Sequence, residues 1–207
     1  MVGAAVIRIA LVLGLLAAPA MATQNAVPGL YAVQGVAAND VLNVRQDPEA
    51  GAAIIAELAP DADGIEVVAL SGNSRWGRVN AGEQSGWVAM RFLSAYGGQY
   101  QGRFPSPASC FGTEPFWTLN ISDDALRFDR LDEGVADFTA GNRETAIGRR
   151  DQWSARAFRD GRNLTVVVGT EACNDGMSDR AYGLRATVLI STDTSHDHYA
   201  GCCSLAP

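Results

Sequence analysis

Short runs of alternating apolar and polar residues, separated by turn residues, recur along most of the chain and restrict it to an all-β fold. Strands this short and this regularly spaced are typical of small β-barrels. In residues 31–93 the only helical period is a single turn around Ala89–Leu93. The runs of this first half are Tyr31–Val36, Val41–Arg45, Ile54–Leu58, Ile65–Leu70, Trp76–Val79 and Gly86–Val88.

The second half shows the same pattern after a stretch rich in Gly and Pro, residues 95–109, which we interpret as a linker. We therefore expect two units, residues 23–94 and residues 110–207. The second unit is expected to form six to eight antiparallel strands in a closed or nearly closed barrel. Its candidate strands are Phe116–Ile121, Ala125–Arg130, Arg143–Gly148, Trp153–Phe158, Leu164–Gly169 and Leu184–Ile190.

The first 22 residues have the three parts of a secretory signal peptide. Arg8 precedes an apolar run, Ile9–Ala18, and Ala20-Met21-Ala22 supplies the small residues of a cleavage site. The apolar run is too short for a retained membrane span, which favours cleavage over an uncleaved anchor helix. We expect a periplasmic or secreted protein with no stable membrane span after cleavage.

Cleavage at this site predicts a mature N-terminus near Thr23. Mass spectrometry of the exported protein should find residues 1–22 removed. An intact chain that begins at Met1 and stays in the membrane fraction would contradict this prediction.

The charge of the chain argues against nucleic acid as a partner. The net charge is −7, and acidic residues outnumber basic ones in both halves, so no basic surface is available to hold phosphates. All basic residues are arginines, which excludes lysine-based catalysis such as Schiff-base formation.

All four cysteines lie in the second half: Cys110, Cys173, Cys202 and Cys203. An even number in an exported chain indicates disulfides. A bridge between the neighbours Cys202 and Cys203 would close a strained ring. We therefore expect Cys110 and Cys173 each to pair with one residue of the C-terminal pair, in either combination. A four-thiolate zinc site and a nucleophilic Cys110 are the alternatives.

Three motifs of the first half resemble bacterial SH3-like domains. They are Leu42–Pro48 (LNVRQDP), Ile54–Leu58 and Gly86–Leu93 (GWVAMRFL), in the order that the family has. The resemblance implies a small SH3-like barrel over residues 31–93 and a groove that binds peptides.

Aromatic side chains beside an arginine suit a peptide that carries carboxylates, such as a peptidoglycan stem. We expect Trp76, with Tyr31 and Arg45 as neighbours, to line this groove. Trp87 is expected to belong mainly to the core. The predicted partner is a cell-wall peptide or an envelope protein.

The second half resembles a family of exported bacterial domains through Cys110–Trp117 (CFGTEPFW), Cys173–Arg180 (CNDGMSDR) and Gly201-Cys202-Cys203. The resemblance implies a shared fold but does not indicate any activity. It also implies the pairing Cys173–Cys202 with Cys110–Cys203.

Polar residues of the second half could frame a small pocket: Glu114, Asp175, Asp179 and Arg180. Carboxylates of this kind serve glycosidases, so an envelope enzyme or an enzyme inhibitor is the alternative function. Turn and capping roles are the simpler interpretation. His196 and His198 have a zinc-ligand spacing, but the chain has no third histidine, which favours a polar hairpin tip over a metal site.

The sequence contains no GxSxG, HExxH, GxGxxG or P-loop pattern. We therefore predict no catalytic residues, no metal and no cofactor. The favoured function is an exported, non-catalytic binding protein of the cell envelope.

Overall fold

The computed structural model describes residues 26–205. The predicted signal peptide and its cleavage site lie outside the described residues. The described chain forms sixteen β-strands and one 3-10 turn, which confirms the predicted all-β class. Within residues 26–205, no helix is both long enough and apolar enough to cross a membrane.

The N-terminal unit consists of eight short strands around one apolar core. These are β1 (Gly29–Val33), β2 (Leu42–Arg45), β3 (Ile54–Leu58), β4 (Ile65–Val67), β5 (Ala69–Leu70), β6 (Trp76–Ala81), β7 (Gln84–Ala89) and β8 (Leu93–Ala95). The 3-10 turn, Met90–Phe92, joins β7 to β8 at the place where the sequence predicted a single helical turn.

The strands of this unit form two small sheets, with the orders β4-β1-β8 and β3-β2-β7-β6-β5. The chain crosses between the two sheets four times, and the last two crossings are at Val68 and through the 3-10 turn. Both sheets contribute side chains to the same core. This is the small barrel-like arrangement predicted for the first half.

Alternation along β2 decides which side chains enter that core. Leu42 and Val44 are buried, whereas Asn43 and Arg45 are partly exposed on the opposite face. Successive side chains of a strand point to opposite faces, so this pattern was predictable from the sequence.

The C-terminal unit is a closed barrel of eight antiparallel strands, in the order β10-β11-β12-β13-β14-β15-β16-β9. The strands are β9 (Ala108–Thr113), β10 (Phe116–Ile121), β11 (Ala125–Arg130), β12 (Gly134–Thr145), β13 (Gln152–Arg159), β14 (Arg162–Cys173), β15 (Tyr182–Ser191) and β16 (His196–Leu205). The closed barrel predicted for the second half is confirmed. Its interior is filled with side chains such as Trp117, Leu119, Phe128 and Phe138.

β14 continues to Cys173 instead of ending at Gly169, and three other strands of this barrel differ more from the sequence prediction. β12 begins at Gly134 rather than near Arg143. The sequence did not reveal this earlier start, because the first part of the strand exposes most of its side chains and places only Phe138 fully in the core. β9 and β16 were not predicted as strands. They are rich in Ser, Gly, Cys and His, and their pairing with each other closes the barrel.

Two disulfides hold the barrel, Cys110–Cys203 and Cys173–Cys202, which is the pairing implied by the family resemblance. Cys110 and Cys203 lie opposite each other on β9 and β16, and both are fully buried. Cys173, at the end of β14, ties the loop that follows it to the outside of β16. Disulfides indicate an oxidising compartment.

The two units touch along the loop between β14 and β15. Asn80 in β6 exchanges two hydrogen bonds of 2.9 Å with the backbone of Ala181. A side chain at Gly183 would place its Cβ 2.5 Å from the backbone oxygen of Val68. Only glycine permits so close a contact between the units.

Candidate functional site

The outer face of the sheet β3-β2-β7-β6-β5 places a tryptophan between two arginines. Trp87 in β7 lies directly opposite Arg45 in β2 and Arg78 in β6. Trp76 in β6 is on the same face, opposite Ala89, two residues along β7 from Trp87. All four side chains are partly exposed. We call Arg45, Trp76, Arg78 and Trp87 the Trp87 face.

Both arginines of the Trp87 face form hydrogen bonds with uncharged neighbouring groups, so their positive charges are not neutralised. Arg45 donates to the backbone oxygen of Ala52 at 2.7 Å. Arg78 donates to the Ser85 hydroxyl from Nε at 3.1 Å and from Nη2 at 2.8 Å. Neither arginine forms an ion pair in residues 26–205. The positive charge of this face is thus available to a carboxylate.

The structure changes two of the predicted roles on this unit. Tyr31 is only 5% exposed and belongs to the core, in the sheet that does not carry the Trp87 face. Tyr31 is therefore not placed to contact a peptide. Trp87, expected in the core, points outward because Gly86 and Val88 occupy the inward positions of β7. Strict alternation along β7 was the signal in the sequence that would have placed Trp87 correctly.

The four polar residues predicted to frame one pocket are divided among three places in the structure. Glu114 and Asp175 line one cleft of about 530 Å³, between the β9–β10 turn and the loop after β14. Asp179 instead bonds the N-terminal unit, and its amide donates to the oxygen of Glu83 at 3.0 Å. Arg180 lines a different cleft, between the two units. The predicted single pocket is therefore wrong, because the loop folds against both units.

Asp175 organises its own loop. Its carboxylate accepts hydrogen bonds from the amides of Met177 and Ser178, from the Ser178 hydroxyl and from the Tyr182 hydroxyl, at 2.8–3.2 Å. Burial alone would raise the pKa of Asp175, but these hydrogen bonds outweigh burial and lower the pKa below its ordinary value. A carboxylate held ionised in this way cannot act as the general acid of a glycosidase.

The remaining candidates for catalysis or metal binding are accounted for by the fold. Cys110 is bridged and has no thiol to act as a nucleophile. His196 and His198 are exposed at the start of β16, where His196 pairs with Ser191 next to the hairpin turn, which agrees with the expected polar end of a hairpin. Residues 26–205 contain no group of three or more His, Cys, Asp or Glu side chains that could hold a metal ion.

One carboxyl group with an unusual environment lies between the two units. Glu66 in β4 accepts a hydrogen bond from the amide of Leu205, at the end of β16, at 3.1 Å. Burial raises the pKa of Glu66 to about 7, although the Leu205 amide and the charge of Arg180 oppose the rise. The protonated form is thus favoured when the units are packed together.

This raised pKa predicts that the protein loses stability as the pH rises from about 4.5 to above about 7, because the unfolded chain releases the Glu66 proton earlier than the folded chain. Glu66→Gln keeps an acceptor for Leu205 and removes the titration. We expect this variant to melt a few degrees higher than the wild type at pH 8 and at the same temperature below about pH 4. Glu57→Gln, an exposed change on β3, is the control. A pH-independent effect of Glu66→Gln would contradict the prediction.

Comparison of this chain with protein-family models, with curated proteins and with solved structures finds no match.

Proposed function

We propose that this chain is an exported, non-catalytic binding protein of the bacterial cell envelope. Its N-terminal unit binds peptides that carry carboxylates, with the stem peptides of the cell wall as the principal ligand. The observation that carries the proposal is the Trp87 face, on which a partly exposed tryptophan lies between two arginines that have no acidic partner.

The chemistry of this face suits such a ligand. Tryptophan offers a rigid apolar surface for the aliphatic parts of a peptide, and tryptophan and arginine are enriched among the residues that dominate binding. Guanidinium groups form charge-assisted hydrogen bonds with carboxylates. Two of the three motifs that resemble bacterial SH3-like domains contribute to β2 and β7, whose side chains Arg45 and Trp87 meet here.

An envelope location is supported by two independent features. The N-terminal 22 residues have the pattern of a secretory signal peptide. All four cysteines are paired, as expected for a protein that folds in an oxidising compartment. The barrel would then serve as a disulfide-stabilised companion of the binding unit.

A non-catalytic role is supported by the positions of the candidate catalytic groups. Cys110 is in a disulfide, and the carboxylate of Asp175 is committed to hydrogen bonds within its loop. Glu114 is exposed at the β9–β10 turn.

Sedimentation of the mature chain with purified peptidoglycan tests the proposal. We expect the protein to sediment with the insoluble peptidoglycan and to be released by salt, because screening weakens contacts between exposed charges. A mature protein that stays in the supernatant at low salt would overturn the proposed function.

A further inference from the structure

A cleft of about 670 Å³ lies between the two units and is lined by arginines from both. The N-terminal unit contributes Arg78, and the barrel and its loop contribute Arg180 and Arg185. The acidic residue of the lining is Glu171. We call this the interdomain cleft. Three guanidinium groups against one carboxylate give its wall an excess of positive charge in a chain of net charge −7.

Two of these arginines already have polar partners, whereas the third, Arg180, lies 5.7 Å from the centre of the Tyr182 ring and acts on Glu66 through its charge alone. Arg185 pairs with Glu171 at 3.3 Å, and Arg78 donates to Ser85. The Arg180 side chain makes no hydrogen bond or ion pair within residues 26–205, and its buried Nε has no acceptor. A buried donor without an acceptor carries an uncompensated desolvation cost. A carboxylate entering the cleft would supply the missing acceptor.

The backbone around Arg180 is fixed from both sides by the N-terminal unit. Asp179 accepts a hydrogen bond from the Ser85 hydroxyl at 3.1 Å, and Ala181 exchanges two bonds with Asn80. Because both neighbours of Arg180 are held, the position of its backbone is set before a ligand arrives. Groups fixed in this way lose less entropy on binding.

Arg78 belongs both to the Trp87 face and to the interdomain cleft, so the two surfaces are continuous. We infer that the interdomain cleft receives a carboxylate of the peptide that lies on the Trp87 face, with Arg180 as the main partner of that carboxylate. This inference rests on the proposed function and deepens it. The binding site is then built from both units, and the barrel supplies the residue that selects a charged peptide.

The test measures binding of the full mature chain to purified peptidoglycan, either native or with its peptide carboxylates converted to amides. Arg180→Gln removes the charge of a side chain that makes no hydrogen bond or ion pair in residues 26–205, and glutamine can still pack against the Tyr182 ring, so the variant should keep its fold. Arg156→Gln is the matched control, because Arg156 is exposed on the outer side of β13. Thermal melting of each variant checks that the fold is retained.

We expect Arg180→Gln to weaken binding to native peptidoglycan by about tenfold or more, and Arg156→Gln to leave it unchanged. Amidation should weaken binding of the wild type by a similar factor. Amidation should weaken binding of Arg180→Gln by a smaller factor than binding of the wild type, because the contact with Arg180 is already lost while those with Arg45 and Arg78 remain. Equal binding of Arg180→Gln and wild type to native peptidoglycan would overturn the inference, as would equal sensitivity of both to amidation.

The outcome also separates this inference from the proposed function. If the wild type sediments, and Trp87→Ala loses binding while Arg180→Gln does not, the peptide lies on the Trp87 face and the cleft takes no part. If the wild type itself does not sediment, both the inference and the proposed function are wrong.

Discussion

Replacing both Cys110 and Cys203 with alanine is expected to destabilise the barrel by about 4–5 kcal/mol, the largest stability loss that we predict. The bridge joins residues 93 positions apart, so its removal returns much conformational freedom to the unfolded chain. It also connects β9 to β16, the strand pair that closes the barrel. Urea unfolding of the variant and the wild type, followed by circular dichroism, measures the difference.

The second bridge provides the comparison. Cys173 and Cys202 are 29 positions apart, so replacing both with alanine should cost about 3.5 kcal/mol. This change should also free the loop that carries Arg180 and thereby weaken binding to peptidoglycan. A Cys110/Cys203 double variant as stable as the wild type would show that strand pairing and core packing close the barrel without the disulfide.

Replacing Trp87 with alanine is expected to abolish most binding to peptidoglycan and to leave the fold intact. The side chain lies at the centre of its face, between Arg45 and Arg78, and central tryptophans contribute about 2 kcal/mol or more to binding. Affinity should therefore fall by at least about thirtyfold. Because the side chain is partly exposed, the stability loss should stay below the 3–5 kcal/mol or so typical of a buried aromatic.

Two further variants serve as comparisons for Trp87→Ala. Trp76→Ala should weaken binding less than Trp87→Ala, because Trp76 lies diagonally from Trp87 and opposite only Ala89. Phe158→Ala removes an exposed aromatic from the outer side of the barrel and should not change binding. If Trp87→Ala instead unfolds residues 26–95, the tryptophan serves the fold and the proposed face loses its central contact.

Alternation along the strands was sufficient to predict much of the fold. β3, β10 and β11 begin and end where the sequence indicates, since each is a compact apolar run flanked by turn residues. β16 was missed because one of its inward positions is Gly201 and two of its outward positions are histidines, and its residues are buried mainly through barrel closure and the two disulfides. A strand stabilised by distant partners has a weak local signal.

The candidate site was only partly predictable for a related reason. Arg45 and Trp76 were placed on the binding surface from the motifs, but Trp87 was assigned to the core because its strand closes the small barrel. Gly86 and Val88 alternate with Trp87 along β7, and this alternation predicts that Trp87 lies on the outer face. The role of Arg180 could not be read from the sequence, because it depends on contacts between Asn80 and Ala181, 101 positions apart.

The most direct test of the central claim follows the indole N–H signals of the protein by NMR while soluble muropeptides, released from purified peptidoglycan, are added. The chain has four tryptophans, so single replacements by phenylalanine assign the four signals. Trp117 and Trp153 are 3% and 6% exposed in the barrel core and serve as internal controls. We predict that the signals of Trp87 and Trp76 shift in a saturable manner while those of Trp117 and Trp153 stay in place. Unchanged signals of Trp87 and Trp76 at saturating muropeptide would contradict the account.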